Sequence, residues 1–268
     1  MYDFKYHSPK AINEATDTLS ETQEPKILAG GQTLLATMKL RLSNPSDLVD
    51  LKLIQELREI EITRDYVEIG AMCTHSQVAT STAVRQAIPS LSYLASQIGD
   101  QMVRNVGTIG GSVANNDPAA DYPAAVLGLG GTVFTNRRAI PGDDFFTGLY
   151  ETKLESTEII KSIRFPRPEK SAYAKFKNPA SRYAIIGVML SQKTGKVRLA
   201  VTGAGNGVFR LQSFEQALSD DFSIKSLDKL LVPIDDIIGD MHAGPEYRAH
   251  LIKVMSQRAL EKILTQGT

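Results

Sequence analysis

Two short stretches, Ala29–Thr33 (AGGQT) and Thr108–Ser112 (TIGGS), decide the fold of this chain. Each contains a glycine pair and follows or joins an apolar run that is typical of a strand. Glycine allows positive φ and leaves no Cβ between backbone and ligand, so successive N–H groups can converge on an anion. One such pair is typical of an ordinary turn, whereas two pairs, each beside a threonine, predict a divided diphosphate cradle.

The composition excludes several classes of protein. The 268 residues are enough for more than one core, and the 30 basic and 30 acidic residues cancel, which disfavours nucleic-acid binding. The one cysteine, Cys73, excludes an internal disulfide and a cysteine-ligated cluster contained in this chain. Residues 1–10 lack the apolar segment of a signal peptide, and no run of about 18 apolar residues occurs. We therefore expect a cytoplasmic protein without an integral membrane segment.

The first glycine stretch lies in a pattern of alternating helices and strands. Ser8 and Pro9 predict the cap and first turn of a helix, and residues 26–29 form a strand that leads into the glycines. Apolar residues at helical spacing follow, so we expect the loop to begin a helix whose N-terminal amides face the anion. Residues 47–51 predict another strand.

The rest of the sequence predicts further helices and strands of an α+β protein. A hairpin is predicted over 60–69, short helices after it, and a helix from Pro118 that Asp117 would cap. A strand over 158–165 ends at Pro166 and Pro168, which mark a domain boundary. We expect a first domain at 1–168, with subdomains of about 1–53 and 54–168, and a C-terminal α+β domain at 169–268.

Residues 203–207 and Asp121 are two further candidates for ligand binding. Residues 203–207 (GAGNG) follow a strand, but a strand-like segment comes next instead of the helix that a dinucleotide fingerprint requires, so we interpret them as a bend between strands. Asp121 lies close to the second glycine pair and could accept hydrogen bonds from a ribose or polyol. By position alone, a solvated helix surface is an equal alternative for Asp121.

The ordered set of motifs resembles the FAD-binding medium subunit of the molybdenum hydroxylases, which include aerobic carbon monoxide dehydrogenase and xanthine dehydrogenase. The similarity runs over nearly the whole chain. It is carried by AGGQT at 29–33 with Met38-Lys39, by 106–114 (VGTIGGSVA), by 117–123 (DPAADYP), by 141–158, and by 240–248. The resemblance implies a two-part FAD-binding domain of the vanillyl-alcohol-oxidase-like (PCMH) type, followed by a small α+β domain.

The family resemblance also implies roles for particular residues. The FAD diphosphate would lie against the two loops, which comprise Ala29, Gly30, Gly31, Gln32 and Thr33, and Thr108, Ile109, Gly110, Gly111 and Ser112. Asp121 would bind the ribityl chain. Ile160 would contact the isoalloxazine ring, Lys175 would supply a basic group, and Tyr183 an aromatic cover. Arg182 departs from the family, which often has an acidic residue there.

The implied function is electron transfer through FAD. A flavin carries the redox chemistry, so no side-chain nucleophile or acid–base pair is needed, and we assign no catalytic residue. The resemblance implies a large subunit with the molybdenum cofactor and a small subunit with [2Fe-2S] clusters, assembled as a dimer of heterotrimers. Two alternatives remain at this point: a stand-alone FAD-dependent oxidase, and a non-catalytic assembly module with an empty flavin site.

Overall fold

The computed structural model describes residues 1–266. In this range the helices are α1 Ile12–Glu21, α2 Leu34–Lys39, α3 His75–Thr80, α4 Thr82–Ala87, α5 Pro89–Ser96, α6 Gln101–Val106, α7 Ile109–Asn115, α8 Asp121–Gly128, α9 Gly142–Phe145, α10 Gln212–Asp220, α11 Ile224–Asp228 and α12 Pro245–Gln266. The strands are β1 Lys5–His7, β2 Pro25–Leu28, β3 Asp47–Asp50, β4 Ile60–Ile62, β5 Tyr66–Gly70, β6 Thr132–Thr135, β7 Ala139–Pro141, β8 Phe146–Gly148, β9 Glu151–Thr152, β10 Ile160–Pro166, β11 Lys170–Lys177, β12 Ala184–Lys193, β13 Lys196–Thr202 and β14 Phe209–Arg210. None of the described helices is long and apolar enough to cross a membrane.

A small parallel sheet forms the start of the chain. Its strand order is β1-β3-β2, and both outer strands pair in parallel with β3. Apolar side chains of α1 at helical spacing, including Ala15 and Leu19, are buried together with Val49 of β3. Because the strands are parallel, the loop after β2 leaves from the same end of the sheet as the end of β1.

A five-stranded antiparallel sheet, in the order β4-β5-β10-β6-β7, forms the centre. Helices α3 to α8 occupy the long connection between β5 and β6. Their apolar side chains, such as Leu91, Leu94 and Val113, share one core with Ile69 and Ile163 of the sheet. The second glycine stretch lies inside this helical connection.

A four-stranded antiparallel sheet, in the order β11-β12-β13-β14, carries the last part of the chain. The long helix α12 packs on β11 and β12, and its buried residues Leu251, Met255 and Ala259 recur every fourth position. Helix α8 packs against β12 and β13, so it lies between the last sheet and the central core. The α+β fold class is confirmed, since antiparallel sheets and segregated helices dominate.

Three local predictions were wrong. Helix α1 begins at Ile12 with Ala11 at its N-cap, so neither Ser8 nor Pro9 begins it. The second glycine pair lies in the first turn of α7 instead of joining a strand. Asp117 does not cap α8, because its Oδ1 accepts from the Ala119 N–H in a turn that precedes the helix. Ser8 and Asp117 precede helices, where turn chemistry resembles capping chemistry.

The interpretation of residues 203–207 agrees with the structure. Gly203 has φ of +89° and follows β13, and the chain continues into the short strand β14. A helix does not follow, so this segment lacks the geometry of a dinucleotide fingerprint.

Candidate functional site

The first glycine loop, Ala29–Thr33, connects β2 to α2. Gly31 has φ of +66°, in the left-handed region that glycine adopts without strain. Within residues 1–266, no acceptor bonds the backbone N–H groups of residues 30–33. Four successive donors therefore remain available at the start of a helix. This arrangement can bind an anion.

The second glycine loop, Thr108–Ser112, is organised differently. The Ile109 N–H donates to Cys73 O (3.0 Å) and the Gly110 N–H to Ala71 O (2.9 Å). Thr108 is the N-cap of α7, and its Oγ1 accepts from the Gly111 N–H at 3.1 Å. In this loop the Thr108 N–H has no acceptor within the described part of the chain, and the other N–H groups are bonded.

The structure brings the two loops into direct contact. A Cβ added at Gly30 would lie 2.4 Å from Val106 O and 2.7 Å from Gly107 Cα. A Cβ added at Gly111 would lie 3.4 Å from Ala29 Cβ. Glycine at position 30 is thus required for the close approach of the loops, which the sequence predicted as one divided cradle.

Gly110 has a structural reason to be glycine. An added Cβ would lie 2.5 Å from Ala71 Cβ and 2.7 Å from Ala71 O, both in the segment after β5. The backbone of α7 therefore packs directly on that segment. The sequence argument explained this glycine by the approach of a ligand, and the packing explains it equally well.

Asp121 and Lys175 form a buried ion pair. Lys175 Nζ lies 2.8 Å from Asp121 Oδ2, and both side chains are almost fully buried. Tyr173 OH donates to Asp121 Oδ1, and Lys175 Nζ also donates to Gln97 O at 3.1 Å. Burial raises the pKa of Asp121, while the Lys175 ammonium and the Tyr173 hydroxyl oppose that rise. The sequence did not predict that these two residues contact each other.

Tyr183 lies outside the strands, immediately before β12, and its side chain is about half exposed. Burial and the nearby carboxylates of Asp117 and Asp121 raise the pKa of Tyr183, and Tyr150 also contributes. Tyr150 OH lies 3.4 Å from Asp117 Oδ2. Two tyrosines thus flank Asp117 beside the buried ion pair.

Sequence reasoning missed Tyr150 and the residue that holds it. The Asn116 side-chain amide donates to Gly148 O (2.9 Å) and Glu151 O (2.8 Å), on either side of Tyr150. Asn116 caps the end of α7 in the left-handed conformation, with φ of 43°. Asparagine tolerates this conformation, so its place after the second loop was a usable signal for the end of α7.

Ile160 begins β10 and is 5% exposed. Its side chain belongs to the central core, and its strand packs against α7, the helix that the second loop begins. The structure therefore connects Ile160 to the second loop through α7, and the side chain itself is covered by protein.

A third missed residue, His75, lies beneath the second loop. Its backbone N–H donates to Gly107 O at 2.9 Å, and an added Cβ at Gly107 would lie 2.7 Å from its Nε2. Burial lowers the pKa of His75 to about 4. Its Nδ1 and the nearby Tyr122 OH are buried without a hydrogen-bond partner among the described residues. This histidine supports the loop as a neutral imidazole.

The fold and the paired glycine loops define an α+β protein of the FAD-binding class. The chain belongs to the family described as the FAD binding domain in molybdopterin dehydrogenase, whose model matches residues 2–168.

Similar proteins align with this chain over nearly its whole length. The nicotine 6-hydroxylase medium subunit of Paenarthrobacter nicotinovorans is 34% identical, over 96% of this chain and 95% of its own length. The carbon monoxide dehydrogenase medium chain of Hydrogenophaga pseudoflava is 32% identical, over 96% of each chain. In the solved structure of reconstituted CO dehydrogenase from Oligotropha carboxidovorans, a chain with 31% identity superposes with a TM-score of 0.90 and covers 98% of both chains.

Proposed function

We propose that this chain is the FAD-carrying electron-transfer subunit of a molybdenum hydroxylase. The observation that carries the proposal is the contact between the two glycine loops, with four N–H groups on the first loop that no described residue accepts. The chain has no net charge, so an anion such as a diphosphate would be held by local backbone donors. The N–H groups of the first loop are such donors.

Different residues of this chain would bind different parts of FAD. Residues 29–33 would supply the main-chain donors for the diphosphate, and residues 108–112 would form the second wall, with the Thr108 N–H as a further donor. Asp121 would orient the ribityl chain from a fixed position, because Lys175 and Tyr173 already bond its carboxylate. Ile160, Lys175 and Tyr183 would lie on the isoalloxazine side, and we add Tyr150 as a second aromatic residue there.

The chemistry comes from the cofactor and its partners. Bound FAD would supply the redox chemistry, and this chain would hold it between the [2Fe-2S] clusters that deliver electrons and an external acceptor. Because this chain has one cysteine, which is buried, those clusters would belong to a small partner subunit, and the molybdenum cofactor to a large one. The names of two relatives, a medium subunit and a medium chain, support such an assembly, which we propose to be a dimer of heterotrimers.

The domain division follows from the same proposal. We place the FAD-binding domain at 1–168, with subdomains of about 1–53 and 54–168, and the C-terminal domain at 169–268. The end of the family match at residue 168 supports the boundary between the two domains. Contacts of α8 with β12 and β13 would fix the C-terminal domain against the flavin domain.

The experiment compares the isolated chain with the assembled complex. Purified chain should carry one FAD, which trichloroacetic acid releases, since we find no attachment residue for a covalent link in either loop. Dithionite should bleach this flavin, whereas the organic substrate of the complex should bleach it only after the two partner subunits are added. Substrate oxidation by the chain alone at the rate of the complex would instead establish the stand-alone oxidase. Absence of flavin in the chain and in the complex would establish the assembly module.

A further inference from the structure

An exposed apolar surface lies on the first subdomain. It consists of Tyr2, Phe4 and Tyr6 at alternate positions, together with Leu40 and Leu42 after the end of α2, and we name it the aromatic face. Tyr2 and Tyr6 are nearly half exposed, and Leu40 and Leu42 are more than two-thirds exposed. The guanidinium of Arg41 lies 5.6 Å from the centre of the Tyr2 ring, so the two segments adjoin.

Isolated exposed apolar side chains are ordinary, but a contiguous group of this kind marks an interaction surface. Tyrosine, phenylalanine and arginine are also enriched at the centres of protein interfaces. Tyr6 is held in place before any partner binds. Its OH donates to Asp50 Oδ2 at 2.5 Å and accepts from Lys52 Nζ at 2.7 Å. An anchor that is already fixed loses little conformational entropy on binding.

The charges around the aromatic face identify the kind of partner. Within residues 1–6, 39–42 and 52, the exposed charged side chains are Lys5, Lys39, Arg41 and Lys52 against Asp3. The Lys52 ammonium lies 3.3 Å from Asp50 Oδ2, so Lys5, Lys39 and Arg41 carry the excess positive charge. Two of these cations lie over rings of the aromatic face, Arg41 over Tyr2 and Lys52 over Tyr6. A second copy of the same face would meet like charges, which disfavours a symmetric contact between two copies.

Tyr2 and Phe4 of the aromatic face lie away from the first glycine loop. The first glycine loop follows the C-terminal end of β2, whereas Tyr2 and Phe4 precede β1. Both strands pair in parallel with β3, so Tyr2 and Phe4 lie at the opposite end of this sheet from the loop, whereas the Tyr6 hydroxyl reaches Asp50, which pairs with Leu28 next to the loop. Substitutions of Tyr2 and Phe4 should therefore leave FAD retention unchanged.

We propose that the aromatic face docks another subunit of the complex, through a partner surface with an apolar centre and an acidic rim. This inference rests on the proposed function, because that function supplies the partner subunits. The aromatic side chains would provide the buried centre of the contact, and Lys5, Lys39 and Arg41 would steer association and set its register.

The test uses the full chain with its two partner subunits and measures their association by titration and gel filtration. The double variant Tyr2→Ala/Phe4→Ala should bind at least tenfold more weakly and keep its FAD. The charge reversal Lys39→Glu/Arg41→Glu should weaken binding and reduce its dependence on salt. As controls, Lys225→Glu/Lys229→Glu makes the same charge change in and after α11, and Leu231→Ala removes an exposed apolar side chain elsewhere.

The outcomes separate this inference from the proposed function. If the wild-type chain binds neither subunit, the proposed function and the inference both fail. If the wild type binds and the Tyr2→Ala/Phe4→Ala variant binds equally well, only the inference fails. If that variant instead loses self-association of the chain, the face joins two copies and the acidic partner is wrong.

Discussion

The two glycine loops have nearly the same composition and different structural roles. In Ala29–Thr33, four backbone N–H groups have no acceptor among residues 1–266, and the residues are partly or fully exposed. In Thr108–Ser112, the backbone is bonded to the segment after β5 and to its own N-cap, and Ile109 and Gly110 are buried. A glycine pair therefore marks close backbone approach, and the approaching group can be a ligand or another part of the chain.

The largest expected effect on stability comes from a substitution in the second glycine loop, which is the buried one of the two loops. We expect Gly110→Val to lower the free energy of unfolding by about 3–5 kcal/mol, because the side chain would overlap Ala71 and break the buried bond from Gly110 N–H to Ala71 O. Chemical denaturation measures this change. Gly244→Val is the control, since its added Cβ would meet only the Glu246 carboxylate, at 3.6 Å. Wild-type stability together with lost FAD would show that Gly110 faces the ligand.

The second effect depends on His75, which supports only the buried loop. Its folded pKa of about 4 lies below the ordinary value of 6.5, so between these pH values the unfolded chain binds a proton that the folded chain does not. Stability should therefore fall as the pH drops from 6.5 to 4, by up to about 3 kcal/mol. Denaturation at several pH values measures the slope. His75→Gln should flatten it, and equal slopes in both proteins would contradict the buried neutral imidazole.

The sequence predicted the features that depend on local chemistry. It predicted the pairing of the two loops, the α+β class and most strands, because glycine pairs and apolar spacing report backbone conformation directly. It could not predict that Asp121 and Lys175 bond each other, since 54 positions separate them. They meet because α8, which begins at Asp121, packs on the sheet in which β11 carries Lys175. His75 and Tyr150 were missed for the same reason, because their neighbours come from distant segments.

The third effect tests the cap of the buried loop. Thr108→Val removes the hydroxyl that accepts from the Gly111 N–H, while it keeps the shape of the side chain. Loss of such a cap costs about 1 kcal/mol of stability. We expect thermal denaturation to show this loss, with a change in FAD affinity no larger than the loss of stability explains. Thr108→Ser should restore both quantities, and failure of that rescue would mean that the methyl group is what matters.

The smallest effect, and the one that separates the loops most directly, comes from the matched substitution Thr33→Val. Thr33 is exposed and precedes α2, and its hydroxyl makes no capping hydrogen bond. Its removal should leave the free energy of unfolding of the FAD-free chain unchanged within about 0.5 kcal/mol, as for other exposed sites. If the hydroxyl donates to the diphosphate, the dissociation constant of FAD should rise about three- to tenfold, equivalent to about 0.7–1.4 kcal/mol. Flavin fluorescence titration of the FAD-free chain measures this change, with Thr33→Ser as the control that keeps the donor. Weaker FAD binding in Thr108→Val than in Thr33→Val, at equal stability, would exchange the roles of the two loops.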